Sequence, residues 1–162
     1  MFTSQHLHQF IDENHVTAEI LPMAQDTPTV PDAAHALGVS QQQIIKSLVF
    51  LVAGSATGDA QPVLVIANDA HRVDERLVAR HLGVGRKRVK MARPEQALAI
   101  TGYGVGAMPP FGHQTRLRTL VDPGVVAQDE IYGGGGEINA MLRLTSRELV
   151  RVAGAEVVSV AT

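Results

Sequence analysis

Residues 44–53 read IIKSLVFLVA, and residues 61–67 read QPVLVIA. Both runs are rich in β-branched and other apolar residues, which is typical of buried β-strands. The residues between them, GSATGD over 54–59, are of the small and polar types that form turns. We therefore expect the two runs to pair as a β-hairpin.

The segments on either side of this hairpin alternate between helical and extended patterns. Thr29 is a good helix cap, Pro31 follows at an early helical position, and Gly38 can end that helix. The predicted helices span 4–14, 29–38, 73–82, 94–100 and 146–150, and the predicted strands span 17–23, 89–92, 116–121, 125–126, 130–132, 140–144 and 155–160. This interleaving predicts a single α/β (α+β) domain over residues 1–162, built on a mixed sheet.

Composition excludes several classes of function. The chain has 162 residues and no cysteine, which rules out disulfides, thiolate nucleophiles, zinc fingers and iron–sulfur clusters. The first ten residues show no basic start followed by an apolar run, so no signal peptide is expected. The longest nearly apolar run, 44–53, is too short to cross a bilayer. We expect a soluble, cytoplasmic protein that has no membrane partner.

Positive charge is concentrated in one segment. Residues 72–93 contain eight basic and two acidic residues, although the net charge of the chain is only −2. Arg72, Arg76 and Arg80 recur at intervals of four, which places them on one face of the predicted helix. Such a face could contact a phosphate backbone, or it could simply be a solvated helix surface.

Motifs of the common cofactor and nucleophile sites are absent. Gly102, Gly104 and Ala107 imitate a dinucleotide-binding fingerprint, but Pro109 and Pro110 prevent the helix that this fingerprint requires. The sequence contains no GxxxxGK[ST], HExxH or GxSxG motif. We therefore expect no cofactor, no metal site and no serine nucleophile, although His71 and His113 leave the question of a metal open.

Lys46 is the only basic residue among the first 71. By strand alternation it shares a face with Leu48, Phe50 and Val52. An ammonium on an apolar face is costly unless a partner stabilises it. Lys46 is therefore either a functional residue or a lysine that pairs with an acid from elsewhere in the fold.

Two glycine-rich segments are candidate site loops. Residues 106–112 read GAMPPFG, and their prolines stiffen a backbone whose remaining N–H groups could stabilise a developing oxyanion. A tight structural turn explains the same residues. Residues 133–136 are four glycines followed by Glu137, which indicates room for a substrate or a plain loop.

Taken in chain order, these motifs resemble the YbaK/ProX family of stand-alone aminoacyl-tRNA deacylases, whose domain is also inserted in many bacterial prolyl-tRNA synthetases. The resemblance covers nearly the whole chain. It rests on Thr29-Val30-Pro31-Asp32-Ala33-Ala34 with Leu37-Gly38, Ile45-Lys46-Ser47-Leu48-Val49-Phe50, Arg72-Val73-Asp74, Thr101-Gly102-Tyr103 with 106–112, and Gly136-Glu137 through Leu144 to Glu148-Leu149. It implies a mostly antiparallel, partly barrel-like sheet flanked by helices.

The resemblance also implies a reaction and its residues. Water would hydrolyse the ester of a mischarged aminoacyl-tRNA, with tRNA-Pro as a candidate substrate and a ribose hydroxyl assisting. The implied catalytic residues are Lys46, Gly106, Ala107, Met108 and Pro110, and the implied pocket residues are Phe50, Pro109, Phe111, Gly112, Gly135, Gly136 and Glu137. The acceptor end would bind Arg72, Arg76, Arg80, Arg86, Lys87, Arg88 and Lys90. An aminoacyl-tRNA synthetase is a candidate partner, and no DNA partner is expected.

The glycine run departs from the family pattern. Branches of the family carry a serine or a Gly-His-Pro motif where this chain has residues 133–137, so the choice of amino acid does not transfer. Glu137 is a candidate contact for the substrate's α-ammonium. A non-catalytic tRNA- or small-molecule-binding module of the same fold, and a hydrolase acting on another acylated small molecule, stay open as alternatives.

Overall fold

The computed structural model describes residues 1–23, 30–54 and 59–162. The α-helices are α1 (Ser4–Glu13), α2 (Val30–Leu37), α3 (Glu75–Leu82), α4 (Pro94–Thr101), α5 (Pro123–Val126) and α6 (Ser146–Ala153). The strands are β1 (Ala18–Pro22), β2 (Ile45–Ala53), β3 (Ala60–Asn68), β4 (Val89–Met91), β5 (Arg118–Val121), β6 (Glu130–Gly134), β7 (Ala140–Thr145) and β8 (Glu156–Val157). Short 3₁₀ turns precede β2 and β4.

The strands form two sheets. The larger has the order β4-β2-β3-β5-β8, and the smaller has the order β1-β7-β6. The predicted hairpin of β2 and β3 is antiparallel, whereas β5 runs parallel to both β3 and β8. A bridge between Ile44 and Tyr132 joins the two sheets at one corner. The prediction of a mixed α/β domain with flanking helices is confirmed.

Strand alternation divides the core into separate layers. Ile45 and Val49 of β2 belong to the main cluster, which also contains side chains of β7, α1, α4 and α6. Phe50 and Val52 point to the opposite face and pack with α3 and β4. The period of two that is visible in the sequence therefore becomes two buried faces of one sheet.

Three predicted elements differ from the structure. The strand predicted over 125–126 is helix α5, because Asp122 caps the N–H of Gly124 and a proline occupies the first helical position. Helix α3 begins at Glu75, since Asp74 is its N-cap, so Arg72 lies before the helix and not on its face. The strand predicted over 155–160 is shorter in the structure, where β8 spans only Glu156–Val157. The Thr29 cap and residues 55–58 of the predicted loop lie outside the described residues.

Two features are absent from the described ranges, a membrane-spanning helix and a cluster of metal ligands. These ranges contain no helix that is long and apolar enough to cross a membrane. The same ranges contain no group of three or more His, Asp or Glu side chains arranged to hold a metal ion.

Candidate functional site

A cleft of about 340 Å³ opens between the two sheets beside the first half of β2. Most of the residues that line it have apolar side chains, and three are glycines. Lys46 and Ser47 are the two lining residues with polar side chains. The lining residues are Ala33, Ile44, Ile45, Lys46, Ser47, Leu48, Val49, Met91, Ala92, Pro94, Ala97, Val105, Gly106, Met108, Gly133, Gly134 and Met141.

The cleft exists because β4 covers only part of β2. Strand β4 pairs with residues 50–52, and the Ala92 N–H donates to the Val49 carbonyl at 2.9 Å. On the other side of β2, the Asp69 N–H donates to the Ile44 carbonyl at 3.0 Å. Along an antiparallel ladder, hydrogen-bonded pairs alternate with pairs that exchange no hydrogen bond. Since residues 44 and 69 are bonded, residues 47 and 66 form a pair without hydrogen bonds, and the backbone N–H and C=O of Ser47 point away from β3. Ser47 therefore presents main-chain groups to the cleft.

Lys46 lines the cleft and has partners from the turn after β3. Its Nζ donates to the His71 carbonyl at 2.8 Å and lies 3.9 Å from Oδ1 of Asp69. The side chain is 27% exposed, so the ammonium is held in place without being sealed from water. Pairing with an acid, which was one of the two interpretations of this lysine, is observed, and it coexists with a position in the cleft.

The loop over 106–112 contributes Gly106 and Met108 to the cleft. Gly106 has a φ of +91°, a conformation that favours glycine. Five N–H groups of the loop were predicted as donors, those of Gly106, Ala107, Met108, Phe111 and Gly112, and of these Ala107 donates to the Gly104 carbonyl at 3.2 Å. The N–H groups of Gly106 and Met108 have no backbone acceptor within the described part of the chain. Because Gly106 and Met108 also line the cleft, their amides are the loop donors that a ligand in the cleft can reach.

The glycine run packs against this loop. A Cβ at position 134 would overlap the Met108 carbonyl oxygen and would lie 2.6 Å from the carbonyl carbon. The Gly136 N–H donates to the Ala107 carbonyl at 2.9 Å. The end of β6 and the loop are therefore in backbone-to-backbone contact, which only a residue without a side chain permits. Close packing therefore explains the glycine at position 134. The sequence pattern does not distinguish this explanation from a need for room for a substrate.

Several predicted pocket residues lie outside the lining of the cleft. Gly135, Gly136 and the half-buried Glu137 follow the end of β6, and Pro109 is buried in the loop. Phe50 is 1% exposed in the core layer under α3. Pro110, which was predicted as a catalytic residue, lines a separate cavity of about 90 Å³ together with the predicted pocket residues Phe111 and Gly112. None of these residues is among the described residues that line the cleft, and their assignment to the substrate pocket stays a prediction.

His113 also contacts the loop over 106–112. Nε2 of His113 lies 2.8 Å from the Pro109 carbonyl, and the imidazole packs edge-on against Tyr103 with 6.2 Å between ring centroids. Burial lowers the pKa of His113, so the ring is neutral near pH 7 and Nε2 carries the proton that it donates. His113 is thus a structural contact of the loop.

Part of the basic segment surrounds a recess of about 530 Å³ next to the cleft. Lys46, Leu48 and Met91 line both spaces, so the recess and the cleft are continuous at Lys46. The charged residues that line the recess are Lys46, Arg72, Asp74, Glu75, Arg76 and Arg86. The structure therefore brings three of the predicted tRNA-binding arginines to the side of the predicted catalytic lysine.

The basic residues differ in their partners. Within the recess, Arg86 pairs with Glu75 at 2.6 Å, and Nε of Arg76 lies 3.5 Å from Asp74. Nε of Arg88 donates to the Ala53 carbonyl at 2.7 Å. Arg80, Lys87 and Lys90 are exposed outside the recess. The predicted single helical face is not observed, because the basic residues are divided among the turn before α3, α3 itself and the segment that follows it.

Sequence reasoning missed two kinds of site residue. Ala33, Ile44 and Met141 resemble ordinary core residues, and no local signal separates a cleft wall from a core contact. Asp69 and His71, the partners of Lys46, could have been found from the hairpin, because antiparallel pairing places the residues after β3 opposite the start of β2.

The chain is similar to known proteins. A family model described as the aminoacyl-tRNA editing domain matches residues 24–152. The chain is 31% identical over 123 residues to the multifunctional Ser/Thr-tRNA deacylase ProXp-y of Escherichia coli, covering 75% of this chain and 71% of that protein. It is 32% identical over 114 residues to a proline–tRNA ligase of Limosilactobacillus fermentum, covering 70% of this chain and 19% of the ligase.

The fold has solved counterparts. A crystal structure described as a candidate trans-editing enzyme for prolyl tRNA synthetase superimposes with a TM-score of 0.85 at 27% identity, covering 98% of this chain and 96% of that one. The family expected from the motifs is confirmed. With its matching family model, its relatives and its fold, this chain belongs to the aminoacyl-tRNA editing domain family.

Proposed function

We propose that this chain hydrolyses the ester bond of a mischarged aminoacyl-tRNA, with the ester held in the cleft at Lys46 and the loop amides. The observation that carries the proposal is the continuity of two spaces at Lys46: an apolar cleft suited to an amino acid and a basic recess suited to a nucleic-acid end. Membership of the aminoacyl-tRNA editing domain family supports the same substrate class.

In the proposed reaction a water molecule attacks the ester carbonyl carbon and forms a tetrahedral intermediate. The N–H groups of Gly106 and Met108 stabilise its oxyanion, as fixed dipoles do in a site that excludes bulk water. The bond from the carbonyl carbon to the ribose oxygen then breaks, and that oxygen takes up the proton that the attacking water gives up. The products are a free amino acid and a tRNA with a free terminal ribose.

Lys46 acts in this scheme as a fixed positive charge and not as a nucleophile. Its hydrogen bond to the His71 carbonyl and its proximity to Asp69 limit where the ammonium can go. A charge so positioned binds the terminal phosphate or offsets the charge that develops on the ester. Because the described residues that line the cleft supply no carboxylate, imidazole or thiol, the proposed attack relies on water and on a substrate hydroxyl.

The acceptor end of the tRNA is proposed to lie along the recess. Arg72 and Arg76 are exposed there, and contacts of this kind neutralise phosphates without reading sequence. The resemblance to proline–tRNA ligase and to a candidate trans-editing enzyme supports tRNA-Pro as the substrate and prolyl-tRNA synthetase as a partner. Glu137 has no support as a substrate contact, since it does not line the cleft.

The test is the release of amino acid from a panel of mischarged tRNAs. Lys46→Met removes the charge and keeps most of the side-chain length, and Arg147→Ala is a control that removes an exposed charge elsewhere. We expect deacylation to fall at least 100-fold for Lys46→Met and to stay within threefold of wild type for the control. Equal rates for wild type and Lys46→Met would contradict the assigned role of Lys46.

The same panel separates the alternative functions. If wild-type protein binds tRNA in a salt-dependent way and accelerates no hydrolysis, the chain is a binding module. If it hydrolyses acylated small molecules and does not bind tRNA, the basic recess has no nucleic-acid role.

A further inference from the structure

We propose that the cleft selects an aliphatic aminoacyl group and discriminates against serine and threonine. This inference rests on the proposed function and concerns the amino acid that is removed. It departs from the activity named for the Escherichia coli relative, which is a Ser/Thr-tRNA deacylase.

The walls of the cleft carry few groups that could bind a substrate hydroxyl. Among the described residues that line the cleft, only Lys46 and Ser47 have polar side chains. The Lys46 ammonium donates one of its three N–H groups to the His71 carbonyl, and the proposed reaction assigns the others to the terminal phosphate or the ester. Most remaining hydrogen-bonding capacity belongs to main-chain groups at Ser47, Gly106 and Met108, which suit the α-ammonium and the ester that all aminoacyl groups share.

The floor of the cleft is buried and apolar. Ile45, Val49 and Ala97 are each no more than 5% exposed, and Met108 and Met141 are no more than 8% exposed. A substrate side chain that reaches this floor loses its water. An aliphatic side chain gains from that transfer, whereas a hydroxyl meets no polar side chain among these five residues and is penalised.

The methionines extend the range of acceptable aliphatic groups. Three of the five methionines of the chain, Met91, Met108 and Met141, line this one cleft. Their unbranched thioether side chains adapt to different shapes more readily than β-branched ones do. The cleft should therefore take alanine, 2-aminobutyrate and valine groups with modest differences, while it distinguishes valine from its isostere threonine.

The size of the effect follows from this chemistry. An apolar pocket rejects an isostere that adds a hydroxyl by up to about 100-fold, whereas a site built to bind a hydroxyl rejects the analogue that lacks it by about 10⁴-fold or more. We expect valine to be preferred over threonine, and alanine over serine, by about 10- to 100-fold. A site that hydrogen-bonds a substrate hydroxyl would instead prefer threonine over valine and serine over alanine.

The experiment measures binding and hydrolysis separately. Calorimetry compares 3′-deoxy-3′-(L-valylamino)adenosine with its L-threonylamino counterpart, whose amide bonds are not the ester of the reaction. The expected result is a dissociation constant at least tenfold lower for the valyl compound. Equal or tighter binding of the threonyl compound would overturn the inference.

The hydrolysis arm uses one tRNA charged in turn with valine, threonine, alanine and serine. Faster release of the aliphatic member of each pair supports the inference, and faster release of the hydroxylated member overturns it. If the valyl analogue binds preferentially but no tRNA is hydrolysed, the proposed deacylation fails and the selectivity of the cleft stands.

A variant pair links the preference to the floor. Met141→Gln introduces a hydrogen-bonding side chain and is expected to reduce the valyl-over-threonyl binding ratio at least fivefold. Met141→Leu keeps the floor apolar and is expected to preserve the ratio, with thermal unfolding used to check that both variants are folded. A ratio that is the same in both variants would contradict the assignment of Met141 to the side-chain subsite.

Discussion

Gly134→Ala tests whether contact with β6 positions the loop over 106–112. In the structure a Cβ at this position would lie 2.6 Å from the Met108 carbonyl carbon and 2.9 Å from the Ala107 carbonyl carbon, against an ordinary contact of 3.4–4 Å. The loop must therefore retreat by roughly 0.8 Å or more to relieve the first of these overlaps, because well-packed interiors have little free space. The Gly106 and Met108 amides move with it.

A displacement of about 1 Å in a catalytic group can cost about 100-fold in rate, and overpacking of this kind costs about 1–3 kcal/mol of stability. We expect kcat/KM for deacylation to fall about 100-fold and Tm to fall by about 2–12 °C in a chain of this length. Steady-state deacylation below the unfolding transition separates the two effects.

Gly85→Ala is the matched control, because a Cβ at position 85 meets no atom within 4 Å. Its φ of −68° is also accessible to alanine. We expect its activity and its Tm to match those of wild type. If Gly134→Ala kept both its Tm and its activity within threefold of wild type, the argument from backbone contact would be refuted.

The remaining predictions concern acid stability and salt dependence. Hydrogen bonds from Arg151 and the Thr17 N–H lower the pKa of Glu148 from 4.5 to about 2, so its stabilising effect is present above pH 4.5 and is lost as the pH falls towards 2. Glu148→Gln should therefore lower Tm at pH 7, and circular dichroism melts should show this difference shrinking between pH 4.5 and 2; a constant difference would contradict the linkage. Arg72→Gln should weaken tRNA binding equally for all sequences and should reduce the slope of log K against log salt by about one, as measured by titration between 50 and 200 mM salt, whereas an unchanged slope would exclude Arg72 as a phosphate contact.

Local patterns predicted much of the fold correctly. The alternation in residues 44–53 and 61–67 predicted a hairpin with two different faces, and the structure divides Val49 and Phe50 between two core layers. Helix starts were also readable, since caps and prolines act within one turn. The prediction of a strand at 125–126 is wrong for a local reason. Two adjacent valines favour a strand, but the Asp122 cap and Pro123 begin a helix there.

By itself, the sequence determined the family, the order of helices and strands, and Lys46 as a residue out of place on an apolar face. These properties depend on composition and on spacing along the chain. The tertiary structure alone decided where the cleft lies, because β4 stops short and leaves Ser47 on an open strand edge. It also decided what the glycines do, since Gly134 meets the Met108 backbone from a distant part of the chain. Contacts between distant segments depend on strand register and close packing, which no local pattern specifies.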